Sequence, residues 1–211
     1  MPYCFTIIYI RRFRLMNYYI ADTHFYDRKC LTYDNRPFLG VNDMNDTIIK
    51  NWNSVVTPDD TVYVVGDFSY GTGGDVISVA QRLYGHKILI RGNHDNDVNL
   101  KYAFESIVDY HEELCEDGHI ILCHYPILSF KNMQKGRSIH IYGHVHNTYE
   151  AKITADTHRR LKNLGYNFEA YNVGCMQSYM NYTPRTLAQL RSLTMQTPLD
   201  FSARGEFGQE Q

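Results

Sequence analysis

The chain contains no Cys-x-x-Cys pair. Its five cysteines, Cys4, Cys30, Cys115, Cys123 and Cys175, are odd in number and scattered, which leaves neither a disulfide framework nor a zinc-finger pattern. A reduced, cytoplasmic compartment is the simpler expectation. An excess of positive charge is also missing: 21 Lys and Arg stand against 23 Asp and Glu, for a formal net charge of -2. No general basic field exists to gather nucleic acid, so a nucleic-acid partner is not expected without a local patch. No apolar run approaches the ~20 residues of a spanning helix, and no membrane partner is expected. Cys4 to Ile10 is apolar, but Arg11, Arg12 and Arg14 follow it, the reverse of a secretory signal. Met16 stands directly before the first convincing strand, so residues 1–15 read either as an upstream extension or as an added edge strand. Repeats, low-complexity blocks and domain linkers are absent as well.

What is present is enough for one well-filled domain. The 211 residues are 44% apolar and 14% aromatic, a composition that supports a sizeable core. The domain is expected over residues 16–193, with a polar tail over 194–211. Tyr18 to Ala21 reads as a buried strand, after which Val41, Met44, Ile48, Trp52 and Val55 recur at helical spacing. Thr61 to Val65 is a second strand, and Val76, Val79, Ala80 and Leu83 mark a helix closed by Gly85. Lys87 to Ile90 is a third strand. Ile107 to Leu114 and His119 to Cys123 flank the hairpin signal Asp117-Gly118. Further strands are expected at Ser138–Tyr142 and Tyr171–Val173, and Pro184 opens a short helix through Leu190. Strand–helix alternation followed by hairpins predicts an α/β fold with a mixed sheet, covered by helices or by a second sheet.

The informative residues come immediately after the strands. Asp22-Thr23-His24 follows the first and Gly66-Asp67 the second, while Gly92-Asn93-His94-Asp95 comes one arginine after the third. His124 ends another, and Gly143-His144-Val145-His146 ends the strand at Tyr142. Carboxyl ends of strands in an open α/β sheet share one rim, so these groups can converge from distant parts of the chain. In Gly-His-x-His the two imidazoles, at i and i+2, project to the same side. Glycines 66, 92 and 143 permit tight turns and close backbone approach. Each group alone has an ordinary explanation, such as a turn, a helix cap or a hydrogen-bonded core histidine. Five in this order at five strand ends point to metal ligation.

This order of motifs resembles the calcineurin-like metallophosphoesterases, over roughly residues 17 to 175. The resemblance implies a four-layered α/β/β/α sandwich with mixed sheets. It further implies one metal ion held by Asp22, His24 and His146, a second held by Asn93, His124 and His144, and Asp67 bridging both. His94 matches the catalytic histidine of that family. The stretches Gly66 to Ser69 and His124 to Pro126 look like small bacterial or phage-type members. The protein Ser/Thr phosphatases of the family continue Gly-Asp into Gly-Asp-x-x-Asp-Arg-Gly. Tyr70, Gly71 and Thr72 occupy the last three places here, so a phosphoprotein substrate is not expected. His94 stands where some phosphodiesterases of the family have Cys, which favours competence toward monoesters as well as diesters.

The implied chemistry is hydrolysis of phosphomonoesters or phosphodiesters, nucleotides among them, by metal-bound hydroxide. Two cations ~3.5–4 Å apart hold the attacking and phosphoryl oxygens together, and metal binding brings a water's pKa to ~7. Two divalent ions outweigh the charges of Asp22, Asp67 and a hydroxide, so phosphate or sulfate is expected at the site. The mixed N/O ligand set suits manganese or iron best and is compatible with nickel or zinc. His94 would protonate the leaving alkoxide or stabilise charge on the phosphoryl group. Asp95 either orients the His94 ring or caps the turn. Arg28, Arg91 and Arg137 are candidate substrate contacts, since guanidinium grips phosphate bidentately, though each has a solvated alternative. Cys175 either approaches the site or is a buried structural thiol. Two other functions stay open: a nuclease using the same metals on DNA or RNA, and a metal-binding scaffold without catalysis.

Overall fold

The computed structural model describes residues 15–116 and 118–196. The chain runs β1 (Asn17–Ile20), α1 (Cys30–Tyr33), α2 (Val41–Val55), β2 (Thr61–Val64), α3 (Gly74–Arg82), β3 (His86–Ile90), α4 (Leu100–Ala103) and β4 (Ser106–Val108). It continues with β5 (His111–Cys115), β6 (Gly118–Leu122), β7 (Ser138–Tyr142), α5 (Tyr149–Asn163), β8 (Glu169–Asn172), β9 (Arg185–Thr186) and α6 (Leu187–Gln196). One sheet has the order β4-β3-β2-β1-β9 and the other β5-β6-β7-β8. Strands β1 to β4 are mutually parallel, with β9 antiparallel to β1; β6 to β8 are parallel, with β5 antiparallel.

Alternation along the strands stacks these elements into four layers. Tyr19 and Tyr63 stack on each other at 5.6 Å, and the Tyr63 hydroxyl donates to Glu113 of β5, so odd positions face the second sheet. Their neighbours point the other way: the Tyr18 hydroxyl donates to Val55 O at the end of α2. On the second sheet Ile139 and Ile141 join the main core, while His140 and Tyr142 face outward, Tyr142 meeting His158 of α5. The result is a helix–sheet–sheet–helix sandwich with mixed sheets. Among the described residues no helix is long and apolar enough to cross a membrane.

Several elements differ from the sequence expectation. Ile107 to Leu114 is two strands, β4 pairing with β3 in one sheet and β5 with β6 in the other. The chain turns a corner at Asp109-Tyr110, which apolar alternation does not register. In the hairpin, Gly118 is already the first residue of β6 and pairs with Cys115; Asp117 lies outside the described residues. Helix α3 ends at Arg82 with Leu83 extended, and Gly85, at φ +88°, makes the turn into β3 instead. Pro184 leads into β9. The last helix begins after Thr186, whose Oγ1 accepts the Gln189 N–H while Gln189 Oε1 accepts the Thr186 N–H. This capping box starts α6, which runs to Gln196. Helix α5 had no expectation at all: only Ala151 of its 15 residues is buried, so it carries almost no apolar stripe. Residues 1–14 and 197–211, which include most of the expected extension and tail, lie outside the described residues.

The two sheets meet at one rim. Ala21, just past β1, donates to Val173 O and accepts from the Cys175 N–H, both at 2.8 Å, which sews the end of β1 to the segment after β8. The parallel strands of both sheets therefore deliver their carboxyl ends to the same edge.

Candidate metal centre

Five segments arrive at that edge. Asp22 and His24 follow β1, Asp67 follows β2, Asn93 and His94 follow β3, His124 follows β6, and His144 and His146 follow β7. Ligand-type atoms of Asp22, His24, Asp67 and His146 all lie within 4.8 Å of one another, and so do those of Asp67, His124 and His144. Asp67 belongs to both groups. The Asn93 side-chain oxygen lies 3.1 Å from His124 Nε2, which adds it to the second group.

The backbone is bent to make this convergence. Asp22, His24, Asp67, His144 and His146 adopt φ values of 54°, 50°, 54°, 69° and 43°. Left-handed backbone is uncommon outside glycine, and such strain gathers where side chains are aimed for function. Glycine supplies the remaining space. A Cβ on Gly92 would run into the Asp67 carboxylate and backbone nitrogen, and one on Gly66 into the His124 ring.

His124 and His146 are each held on one ring nitrogen and present the other to the centre, while His24 lies between two carboxylates without a hydrogen bond to either. His124 Nδ1 is 2.9 Å from Val65 O, with Nε2 3.4 Å from Asp67 Oδ2. His146 Nδ1 is 2.7 Å from Asp34 Oδ1, with Nε2 3.7 Å from Asp22 Oδ1. His24 Nδ1 is 3.5 Å from Asp27 Oδ2, with Nε2 3.7 Å from Asp67 Oδ2. A carboxylate or carbonyl behind the ring is what fixes a metal-binding histidine's tautomer and raises its basicity.

Fully buried, His24 makes no hydrogen bond through either ring nitrogen. A buried polar atom without a partner is costly, and a cation facing Nε2 would supply the partner. The electrostatics agree. Burial opposes charge on Asp67, yet His124 and the His94 N–H hold its carboxyl well below the usual range. Burial likewise opposes charge on His124, but Asp67 and Asp22 push it up to about 9. His146 is raised against its burial by Asp22 and Asp34. Ionised carboxylates that draw positive charge onto their imidazoles form a pocket suited to cations, and the donor set fits divalent metal ions.

His94 is exposed; its N–H donates to Asp67 Oδ1 at 2.9 Å and its ring lies 5.4 Å from that of His24. Asp95 does not reach that ring. Its carboxylate accepts the N–H groups of Asp67, Phe68 and Gly92 at 2.8–2.9 Å, so it caps the loops that carry the site. Cys175 is buried, donates to Asp22 O at 3.1 Å and has its thiol pushed up to about 12 by burial; it is structural. Of the arginines, Arg137 precedes β7 and its carbonyl accepts the His119 N–H, which puts it at the end of the sheet opposite the centre and removes it as a substrate contact. Arg91 pairs with Asp109 at 3.2 Å. Arg28 is exposed beside a surface hollow lined by Leu31, Leu39 and Asn42.

Three supporting residues stand outside the strand-end motifs. Asp34 backs His146, Asp27 backs His24, and buried Arg36 pairs with Asp34 at 2.8 Å while donating to the Asp22 and Thr23 carbonyls. Only Asp27, three residues after His24, was within reach of spacing. Replacing Asp34 with Asn keeps the shape but removes the charge behind His146. Metal affinity of the group holding His146 is expected to fall ~10–100-fold, with the second group spared. Stepwise manganese titration monitored as metal per chain would show this, and two unchanged steps would count against the assignment.

Residues 17–191 match the calcineurin-like phosphoesterase superfamily domain. The chain belongs to that superfamily. The superfamily is in general one of metal-dependent phosphoester hydrolases, and candidate metal-ligand clusters are present in this chain. Among solved structures, a protein of unknown function from Aquifex aeolicus superposes with a TM-score of 0.66 at 27% identity, over 85% of this chain and 100% of that one. An uncharacterized protein of Methanocaldococcus jannaschii is 45% identical over 80 residues, 37% of this chain and 46% of that protein. The chain thus spans about half the length of this curated relative. A phosphoesterase from E. coli aligns with a TM-score of 0.36 at 18% identity, over 64% of this chain and 71% of that one.

Proposed function

We propose that the protein hydrolyses small phosphomonoesters or phosphodiesters with two divalent metal ions. Asp22, His24 and His146 would hold one, Asn93, His124 and His144 the other, with Asp67 shared. Membership of Asp67 in both ligand groups is the observation that carries this reading, because a shared carboxylate is what keeps two cations close. When bound, such a pair supplies a nucleophile at neutral pH and offsets charge on the phosphoryl oxygens. Manganese or iron suits the mixed nitrogen and oxygen donors best, and nickel or zinc is compatible. An oxyanion such as phosphate or sulfate is expected to bind there.

The chain's own contribution beyond ligation centres on His94. Its backbone is anchored to Asp67 while its ring faces solvent beside His24, a placement suited to giving a proton to the departing oxygen. Asp67 therefore positions both a ligand group and the proton donor. The described cysteines Cys30, Cys115, Cys123 and Cys175 are all free, which supports a reducing, cytoplasmic setting.

The test is a panel of mono- and diesters, single- and double-stranded nucleic acid included, run on metal-reconstituted protein. His94→Ala is expected to lower turnover ~10²–10⁴-fold, the usual worth of a positioned acid or base, with metal per chain unchanged. Loss of both metals in that variant would contradict the role given to His94. If the reconstituted wild type cleaves no ester, the scaffold reading replaces this one; if only polynucleotides are cut, the nuclease reading does.

A further inference from the structure

Three exposed tyrosines stand on the rim of the centre, each leaning on at least one of its imidazoles. Tyr70, 50% exposed, has its ring 5.8 Å from that of His94. Tyr33, 40% exposed, lies 5.7 Å from His146. Tyr125, 44% exposed, lies 4.6 Å from His144 and 5.1 Å from His124. Between the first two, the imidazoles continue the belt, His94 to His24 at 5.4 Å and His24 to His146 at 5.2 Å. Tyr70 and Tyr33 thus flank the first ligand group, and Tyr125 flanks the second.

A phosphate held over the two groups would have a partly exposed tyrosine ring on either side. Of the arginines close in sequence to the ligands, Arg28 is exposed and two others are committed elsewhere. Arg36 is buried and spent on Asp34 and two carbonyls, and Arg91 is paired with Asp109. Tyrosine offers a large, rigid contact surface at low entropic cost, and stacking on it is available to any planar ring. We infer that the site takes phosphate esters carrying a planar aromatic group, nucleotides above all, with the base stacked on the rim tyrosines. This names the substrate class of the proposed phosphoesterase site and rests on that reading.

The probes are two non-hydrolysable phosphonates, of adenosine 5′-phosphate and of ribose 5-phosphate, which differ only in the base. Calorimetric titration of the manganese-loaded protein is expected to show the adenosine compound binding roughly tenfold tighter, the scale of one base–aromatic stack. In Tyr70→Leu, Tyr125→Leu and Tyr33→Leu combined, that ratio should fall toward one, whereas the corresponding Phe substitutions should preserve it. Tyr102→Leu, which removes an exposed tyrosine from α4, should also preserve it. Equal affinities in the wild type, or a ratio that survives the triple Leu substitution, would overturn the inference. The two readings fail separately: hydrolysis of nucleotide and ribose phosphate with equal KM strikes only the aromatic preference. A preserved affinity ratio without hydrolysis of any ester supports the aromatic site and strikes only the phosphoesterase reading.

Discussion

Asp67→Asn is expected to reduce metal loading from two ions to at most one per chain, and to lower turnover by at least ~10³-fold, the upper range for losing one preorganised electrostatic group. The substitution is close to isosteric. An amide oxygen can still accept the His94 N–H that Asp67 Oδ1 now takes at 2.9 Å, so the loop after β3 keeps its anchor. What disappears is the negative charge facing His24 Nε2 and His124 Nε2 at 3.7 and 3.4 Å. Without it, two divalent ions would repel each other with no carboxylate shared between the two groups. Metal per chain, measured beside hydrolysis of a monoester and a diester, checks both halves. A variant that loads two ions at wild-type affinity would remove the shared carboxylate from the scheme.

The second large effect concerns stability and lies away from the centre. His140 is fully buried in β7, and burial pushes its pKa down to about 4 from the usual 6.5. The local hydrogen bonds explain why the neutral ring is required. Nδ1 donates to Ile121 O at 3.2 Å and Nε2 accepts the Ile127 N–H at 3.1 Å. A second ring proton would face that N–H, donor against donor. Because the folded pKa is depressed, the unfolded chain takes up the proton first as pH falls. The stability attached to this group is full above about 6.5 and is lost progressively toward about 4, in total about 3 kcal/mol. His158, partly buried opposite Tyr142, is pushed down to about 4 by burial and by Lys162, and its exposure makes its share smaller. Urea unfolding at pH 7.5 and 4.5 should therefore show a marked acid loss in the wild type, reduced in His140→Gln. An identical loss in both proteins would show that His140 is not the source.

Much of the architecture was legible because each strand carries its own signal. β1, β2, β3, β6 and β7 are short apolar runs, and α2 repeats its apolar residues at helical spacing. The legible parts share a property: the residues that decide them are close together in sequence and buried on one face. Where that property is missing, the sequence pattern carries no signal. The corner at Asp109-Tyr110 changes sheets without changing the apolar pattern, and α5 buries so little that it leaves no stripe. Helix α6 starts later than Pro184 suggests because the Thr186–Gln189 capping box, not the proline, begins it.

For the centre, the sequence by itself determined which side chains are available and that they follow strands, since ligand-type residues after apolar runs are visible without coordinates. It could not determine what stands behind them. Asp34 reaches His146 from 112 residues away, and Arg36 holds the Asp22 backbone from inside the core. Asp95, beside His94 in sequence, spends its oxygens on three backbone N–H groups, and Arg137, a fair candidate by chemistry, sits at the far end of its strand. Ligand identity is a property of residue type and local register. Orientation, backing and distance depend on how two sheets are joined at Ala21, and only the folded chain fixes that.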